Sequence, residues 1–124
     1  MEAQRHASVA LPAATTAPGD ARRFTVETLR RWGADGVLDE AELIVSELVT
    51  NALRHASSPS RVVLSATDSC LRIEVADDGR GGADAQGYGL LGIADRVAAF
   101  GGKLEIESGG QGGTVLVARL PLSS

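Results

Sequence analysis

Apolar residues along this chain recur first at helical spacing, then at every second position, then at helical spacing again, and finally in alternation once more. The clearest helical stretch is Asp39 to Ala56. At about 100° per residue, Ala41, Ile44, Val45, Leu48, Val49, Ala52, Leu53 and Ala56 fill one half of the wheel, and Asp39 with Glu42 reads as a capping box that starts the helix. Before it, Asp20 is expected to cap a helix running to about Trp32. Phe24, Val26, Leu29 and Trp32 form its apolar positions, Trp32 as a core or dimer residue; Arg22, Arg23, Arg30 and Arg31 are solvated, and Gly33 and Gly36 end it. Earlier still, Met1 to His6 reads as a frayed end and Ser8 to Leu11 as a short edge strand stopped by Pro12.

After the turn Ser57-Ser58-Pro59-Ser60 the period falls to two. Val62, Leu64 and Ala66 alternate with Val63, Ser65 and Thr67, and beyond Asp68-Ser69, Leu71, Ile73 and Val75 alternate with Arg72, Glu74 and Ala76. This predicts a hairpin with one buried face. Leu90, Leu91, Ile93, Ala94, Val97 and Phe100 then mark a helix closed by Gly101-Gly102. Lys103 to Ser108 follows as a strand with Leu104 and Ile106 inward, and Thr114 to Leu120 as a last strand stopped by Pro121. The order of elements predicts an α/β class domain, a two-layer α/β sandwich whose mixed sheet carries helices on one face. The chain divides into a tail with a short strand, 1–19, and a single domain, 20–124.

Composition narrows the function. A chain of 124 residues with 44% hydrophobic and 23% charged residues has the make-up of one globular domain, and its net charge of −4 gives no electrostatic footprint for nucleic acid. The single Cys70 cannot form an internal disulfide or anchor a zinc cluster, which suits a reducing cytoplasm. No apolar run reaches the length of a membrane span, and Met1-Glu2 lacks the basic start of a signal peptide, so a soluble cytoplasmic protein without a membrane partner is expected. With His6 in the tail, His55 at a helix end and no Gly-x-Ser-x-Gly elbow, a hydrolase triad is not expected.

Three stretches carry polar or glycine positions that packing does not demand. Glu47, Asn51 and Arg54 run along one edge of the central helix, a base, an oxygen ligand for a hard cation and a charge partner for phosphate. A polar helix edge is also what any amphipathic helix shows, so this helix alone leaves both readings open. Asp77 continues the alternation of Leu71, Ile73 and Val75 and so aims an acid at the core, where backbone donors, water or a ligand must satisfy it. Asp78-Gly79-Arg80-Gly81-Gly82 then removes side chains where a ligand would approach, although Asp-Gly is equally a turn pair. Gly87-Tyr88-Gly89-Leu90-Leu91-Gly92 matches a dinucleotide fingerprint in letters only: no buried strand leads directly into it, and Glu105 and Glu107 come too early for the ribose acid. A P-loop is absent.

Taken together, Glu47-x-x-x-Asn51, Asp77-x-Gly79-x-Gly81, Gly87-x-Gly89-Leu90-x-Gly92 and Gly112-Gly113-Thr114 resemble the four boxes of the ATP-binding superfamily of DNA gyrase, Hsp90, histidine kinases and MutL, the Bergerat fold. The resemblance spans about Leu38 to Leu120. It implies that Asp77 accepts from the adenine amino group, that Gly79 and Gly81 let the backbone come close, and that Thr114 reaches the same region through water. It implies that Asn51 holds Mg²⁺ against the phosphates of ATP, that Glu47 is the general base, and that Arg54 and His55 touch phosphate. Gly87, Gly89, Leu90 and Gly92 become the lid hinge and the start of the next helix, whose N-terminal dipole suits an anion.

Within the superfamily, Arg22-Arg23-Phe24, Leu29-Arg30-Arg31-Trp32-Gly33 and Ser46 to Ala52 resemble stand-alone anti-sigma-factor serine kinases. Gly89 to Arg96 and Gly101 to Ile106 are closer to the catalytic domains of nitrate-sensor-like histidine kinases. The first likeness implies a protein serine/threonine kinase whose partner is a sigma factor or an anti-anti-sigma protein; the superfamily resemblance implies a homodimer. The second implies a detached catalytic domain acting on a separate histidine phosphotransfer protein. The segment between Gly82 and Gly87 is short for a lid, which leaves a third expectation, a nucleotide-sensing module without transfer.

Overall fold

The computed structural model describes residues 4–56, 58–77, 90–108 and 114–122, the side chains of His55, Ala56, Leu90, Leu91 and Ser108 excepted. The elements are β1 (Arg5–Leu11), α1 (Ala17–Arg31), a 3₁₀ turn (Asp35–Val37), α2 (Leu38–Ala56), β2 (Ser60–Ala66), β3 (Cys70–Asp77), α3 (Leu90–Ala99), β4 (Lys103–Ser108) and β5 (Thr114–Pro121). Strands pair in the order β1-β2-β3-β5-β4. The fold is the expected two-layer α/β arrangement, but all four pairings are antiparallel, where a mixed sheet was anticipated. The physical reason is the place of β5. The crossover through α3 makes β3 and β4 run the same way, and β5 pairs between them, so among the described residues no parallel pair is hydrogen-bonded.

Alternation decides which residues face the helices. One cross-strand row reads Val9, Val62, Val75, Leu116, Ile106, and the next reads Ala7, Leu64, Ile73, Ala118, Leu104. Against them α2 buries Ala41, Ile44, Val45, Leu48, Val49 and Ala52 almost completely. Ile106 departs from expectation: it is 39% exposed because it sits on edge strand β4, at the end of its row. On the opposite face of the sheet Val117 is fully buried yet outside the core cluster, flanked in register by Glu74 and Glu105. Arg72 pairs with Glu74 at 2.6 Å, and Arg119 with Glu105, so the long side chains of this open face lie over the valine.

Helix α1 differs most from the pattern read in the sequence. It starts at Ala17 with Pro18 in the first turn, where a missing N–H costs nothing, and Asp20 lies inside that turn, paired with Arg23, instead of capping it. Its buried stripe is Ala17, Ala21, Thr25, Thr28 and Leu29, all but the leucine small residues that let α1 pack closely on α2. Val26, Phe24 and Trp32 are only half-buried. Likewise α2 grows directly out of the 3₁₀ turn at Leu38, which puts Asp39 in its first turn and displaces the expected capping box. β1 begins at Arg5, earlier than expected, because Arg5 to Leu11 pair continuously with β2. Among the described residues no helix is long and apolar enough to cross a membrane.

Two helices end in the same way. The Gly33 N–H bonds to Arg30 O and Ala34 N–H to Leu29 O; the Gly101 N–H bonds to Ala98 O and Gly102 N–H to Val97 O. With Gly33 at φ 71° and Gly101 at φ 82°, both are Schellman closures. Gly102 carries an additional demand: a Cβ there would lie 2.1 Å from the Arg119 carbonyl oxygen on β5.

Gly102→Ala is therefore expected to lower unfolding free energy by about 2–3 kcal/mol, while Gly33→Ala, whose Cβ would meet nothing within 4 Å, loses only the left-handed backbone cost of about 1 kcal/mol. Urea denaturation of the two variants checks this order. Thr28 Oγ1 is buried without a hydrogen-bond partner among the described residues, so Thr28→Val is expected to stabilise by about 1 kcal/mol, read as a higher urea midpoint.

Candidate functional site

Helix α2 turns Ile44, Leu48 and Ala52 into the core, and Glu47 and Asn51, one turn apart, come to lie on its flank beside α3. Ser46, Glu47, Thr50 and Asn51 of α2 and Ile93 of α3 line one cavity of about 240 Å³. Both Glu47 and Asn51 are half-buried, so each keeps polar atoms within reach of a ligand. Arg54 is exposed and does not line this cavity. His55 lies in α2, but its side chain is outside the described residues.

Two side chains from neighbouring helices hold this wall. Arg96 of α3 donates from Nη1 to Glu47 Oε1, an ion pair across 49 residues of sequence. Arg22 of α1 donates from Nη1 to Ser46 Oγ at 2.9 Å. The four arginines of α1 are exposed as expected, and Arg22 additionally ties α1 to the rim of the cavity. Arg96 was missed in the sequence. Its signal is faint but present: Ile93 and Val97 face inward, which sets Arg96 on the flank of α3 next to the buried stripe.

The second polar group forms at the end of the sheet. Asp77, the last residue of β3, is 6% exposed and stands in register opposite Thr114, the first residue of β5, which is 4% exposed. Ser60 of β2 is the register partner of Asp77 on the other side. Ser60, Asp77 and Thr114 thus continue the inward-facing rows as a polar row, where an apolar one would otherwise lie. Asp77 and Thr114, reached in the sequence through two separate boxes, are brought together by strand pairing.

Gly79, Gly81, Gly87 and Gly89 lie outside the described residues. Leu90 begins α3 and Gly92 is its third residue, exposed; among the described residues nothing lies within 4 Å of an added Cβ, so none of them demands glycine there. A separate cavity of about 380 Å³ opens at the far end of the sheet between Trp32, Val37, Phe100 and Leu122. None of the described sequence-predicted site residues lines it; Trp32 is half-buried against the core and lines this cavity.

The donor set suits a magnesium-bound nucleotide. Among the described residues no group of three or more His, Cys, Asp or Glu could hold a metal ion. Magnesium, however, takes one or two protein oxygens and completes its shell with phosphate and water, so the Asn51 carboxamide is sufficient in kind. A buried carboxylate at a strand end is a strong acceptor for an exocyclic amino group.

Residues 36–124 match the histidine kinase-, DNA gyrase B- and HSP90-like ATPase family. Over 92 residues the chain is 34% identical to the sensor histidine kinase LiaS of Bacillus subtilis, covering 70% of this chain and 26% of that protein. It is 33% identical over 82 residues to the sensor histidine kinase LnrJ of the same organism, covering 64% and 20%. The chain thus spans about a quarter or less of these kinases. In structure it superimposes on the RsbU and RsbW domains of Rv1364c from Mycobacterium tuberculosis with a TM-score of 0.71 at 24% identity, covering 97% of this chain and 33% of that one. Its match to the Erythrobacter litoralis blue-light activated histidine kinase EL346 has a TM-score of 0.51 at 30% identity and covers 71% and 31%.

Proposed function

Because the chain belongs to the histidine kinase-, DNA gyrase B- and HSP90-like ATPase family, and is an ATP-binding domain of kinase type, we propose that it is a Mg-ATP-dependent protein kinase of the anti-sigma-factor kind, phosphorylating serine or threonine on a partner protein. The observation that carries this reading is the integration of β1 and α1. They precede the family-matched residues, yet β1 pairs with β2 along its whole length and α1 packs along α2. The fold shared with the structure containing an RsbW domain extends over nearly all of this chain, β1 and α1 included.

In this reading the Asp77 carboxylate accepts from the adenine amino group, and Thr114 beside it supports the same edge. The Asn51 carboxamide oxygen serves as the protein ligand for magnesium, whose charge would offset that of the phosphates. Glu47 accepts the proton of the attacking hydroxyl, and Arg54 and His55, at the end of α2, serve the phosphates. Gly79, Gly81, Gly87, Gly89, Leu90 and Gly92 supply the close backbone approach and the helix start.

A second reading has its own support. The 34% identity to LiaS favours a catalytic domain that phosphorylates a histidine on a separate protein. The two differ in the chemistry of the product, since phosphoserine and phosphothreonine survive acid and phosphohistidine does not.

Incubating the chain and γ-labelled ATP with lysate of the native cell should label a protein with acid-stable phosphate, and Glu47→Gln should lower the rate by roughly 10²–10⁴-fold. Acid-labile label would favour the histidine reading. Absence of any label while ATP still binds would leave a nucleotide-sensing module and end the kinase proposal.

A further inference from the structure

The Arg96–Glu47 pair is not explained by packing. Glu47 lines the cavity shared with Asn51, and Arg96 rises from α3, the helix that follows the glycine box and supplies Ile93 to the same cavity. Putting a polyphosphate beside the Glu47 carboxylate brings like charges together, an arrangement that requires a cation close by. Magnesium on Asn51 would supply part of that charge; among the described residues that line this cavity, Ser46, Thr50, Asn51 and Ile93 are uncharged, so a further cation from the described chain reaches in from outside the lining. Arg96 reaches Glu47 from just outside that lining, and its side chain remains 44% exposed. Nη1 bonds the carboxylate, and among the described residues the rest of the planar fork is left for a second anion. A guanidinium with that geometry binds phosphate oxygens in pairs.

We propose that Arg96 determines the preference of this site for a triphosphate: Glu47 and the terminal phosphate compete for its guanidinium, and the phosphate, on binding, frees the Glu47 carboxylate to act as base. The inference rests on the proposed nucleotide site and adds to it a residue and a specificity. Handover couples two requirements of transfer. The base is released only when the group to be transferred has arrived, and a diphosphate, which lacks that group, leaves the carboxylate engaged. The coupling needs no large movement, because a long exposed side chain changes rotamer without disturbing Ile93 or Val97, which anchor α3 in the core.

A double-mutant cycle on nucleotide affinity tests this. Mg-ATP and Mg-ADP are titrated by calorimetry into wild type, Arg96→Gln, Glu47→Gln and the double variant, with urea midpoints measured on each to confirm folding. Arg96→Gln should weaken ATP by roughly tenfold or more and ADP by less than about threefold, a contrast that a merely structural arginine would not produce. Glu47→Gln should tighten ATP several-fold by releasing Arg96, and that gain should disappear in the double variant. Equal loss of both nucleotides in Arg96→Gln, no loss in either, or a Glu47→Gln gain that persists without Arg96 would overturn the handover while leaving the nucleotide site intact. Failure of wild type to bind either nucleotide would overturn the site itself.

Discussion

Burying Leu71, Ile73 and Val75 beneath α2 forces Asp77 to face the same way, because side chains on a strand alternate and a slip of one residue would carry the whole apolar set to solvent. The rest of the site follows from that register. β5 pairs with β3 so that Leu116, Ala118 and Leu120 complete the apolar rows, and the same pairing puts Thr114 beside Asp77. A buried acid at the end of the central hairpin is thus not an isolated polar defect. It terminates a set of rows whose apolar members make any other orientation costly.

The helix layer completes the arrangement by a similar division of labour. α2 gives its core face to Ile44, Leu48 and Ala52 and its flank to Glu47 and Asn51; α3 gives Ile93 and Val97 to the core and Arg96 to the flank. Two rigid elements, each anchored by its apolar residues, therefore meet along a charged seam. The close of α3 at Gly101 and Gly102 fixes how that helix returns to the sheet, since Gly102 lies directly against the backbone of β5. Arg96 stands in the last turn of that helix, so its position relative to Glu47 is tied to the glycine contact that closes the same end.

Much of this was legible in the sequence where one period dominated. The strands from Val62 to Val75, the core face of the helix ending at Ala56, and the closures at Gly33 and Gly101 emerge from spacing alone, and Asp77 stands out because it breaks an apolar alternation. What could not be read has physical causes. The buried stripe of α1 uses Thr25 and Thr28, which count as polar although Thr25 Oγ1 satisfies itself on Ala21 O at 2.8 Å. The capping box at Asp39 was superseded by a 3₁₀ turn that no periodicity marks. Sheet order depends on which strand β5 chooses, a long-range pairing that local pattern does not encode. The Arg96–Glu47 contact is of the same kind, a meeting of two polar flanks that exists only after α2 and α3 have packed.

The central claim is that the inward acid at the end of β3 reads a nucleotide base. Calorimetric titration with Mg-ATP of wild type and Asp77→Asn measures it most directly. Replacing the charged acceptor with an amide should weaken binding by about 1.5–3 kcal/mol, roughly 10- to 150-fold, without abolishing the fold. An Asp77→Asn variant that stays folded and binds Mg-ATP as tightly as wild type would contradict the account.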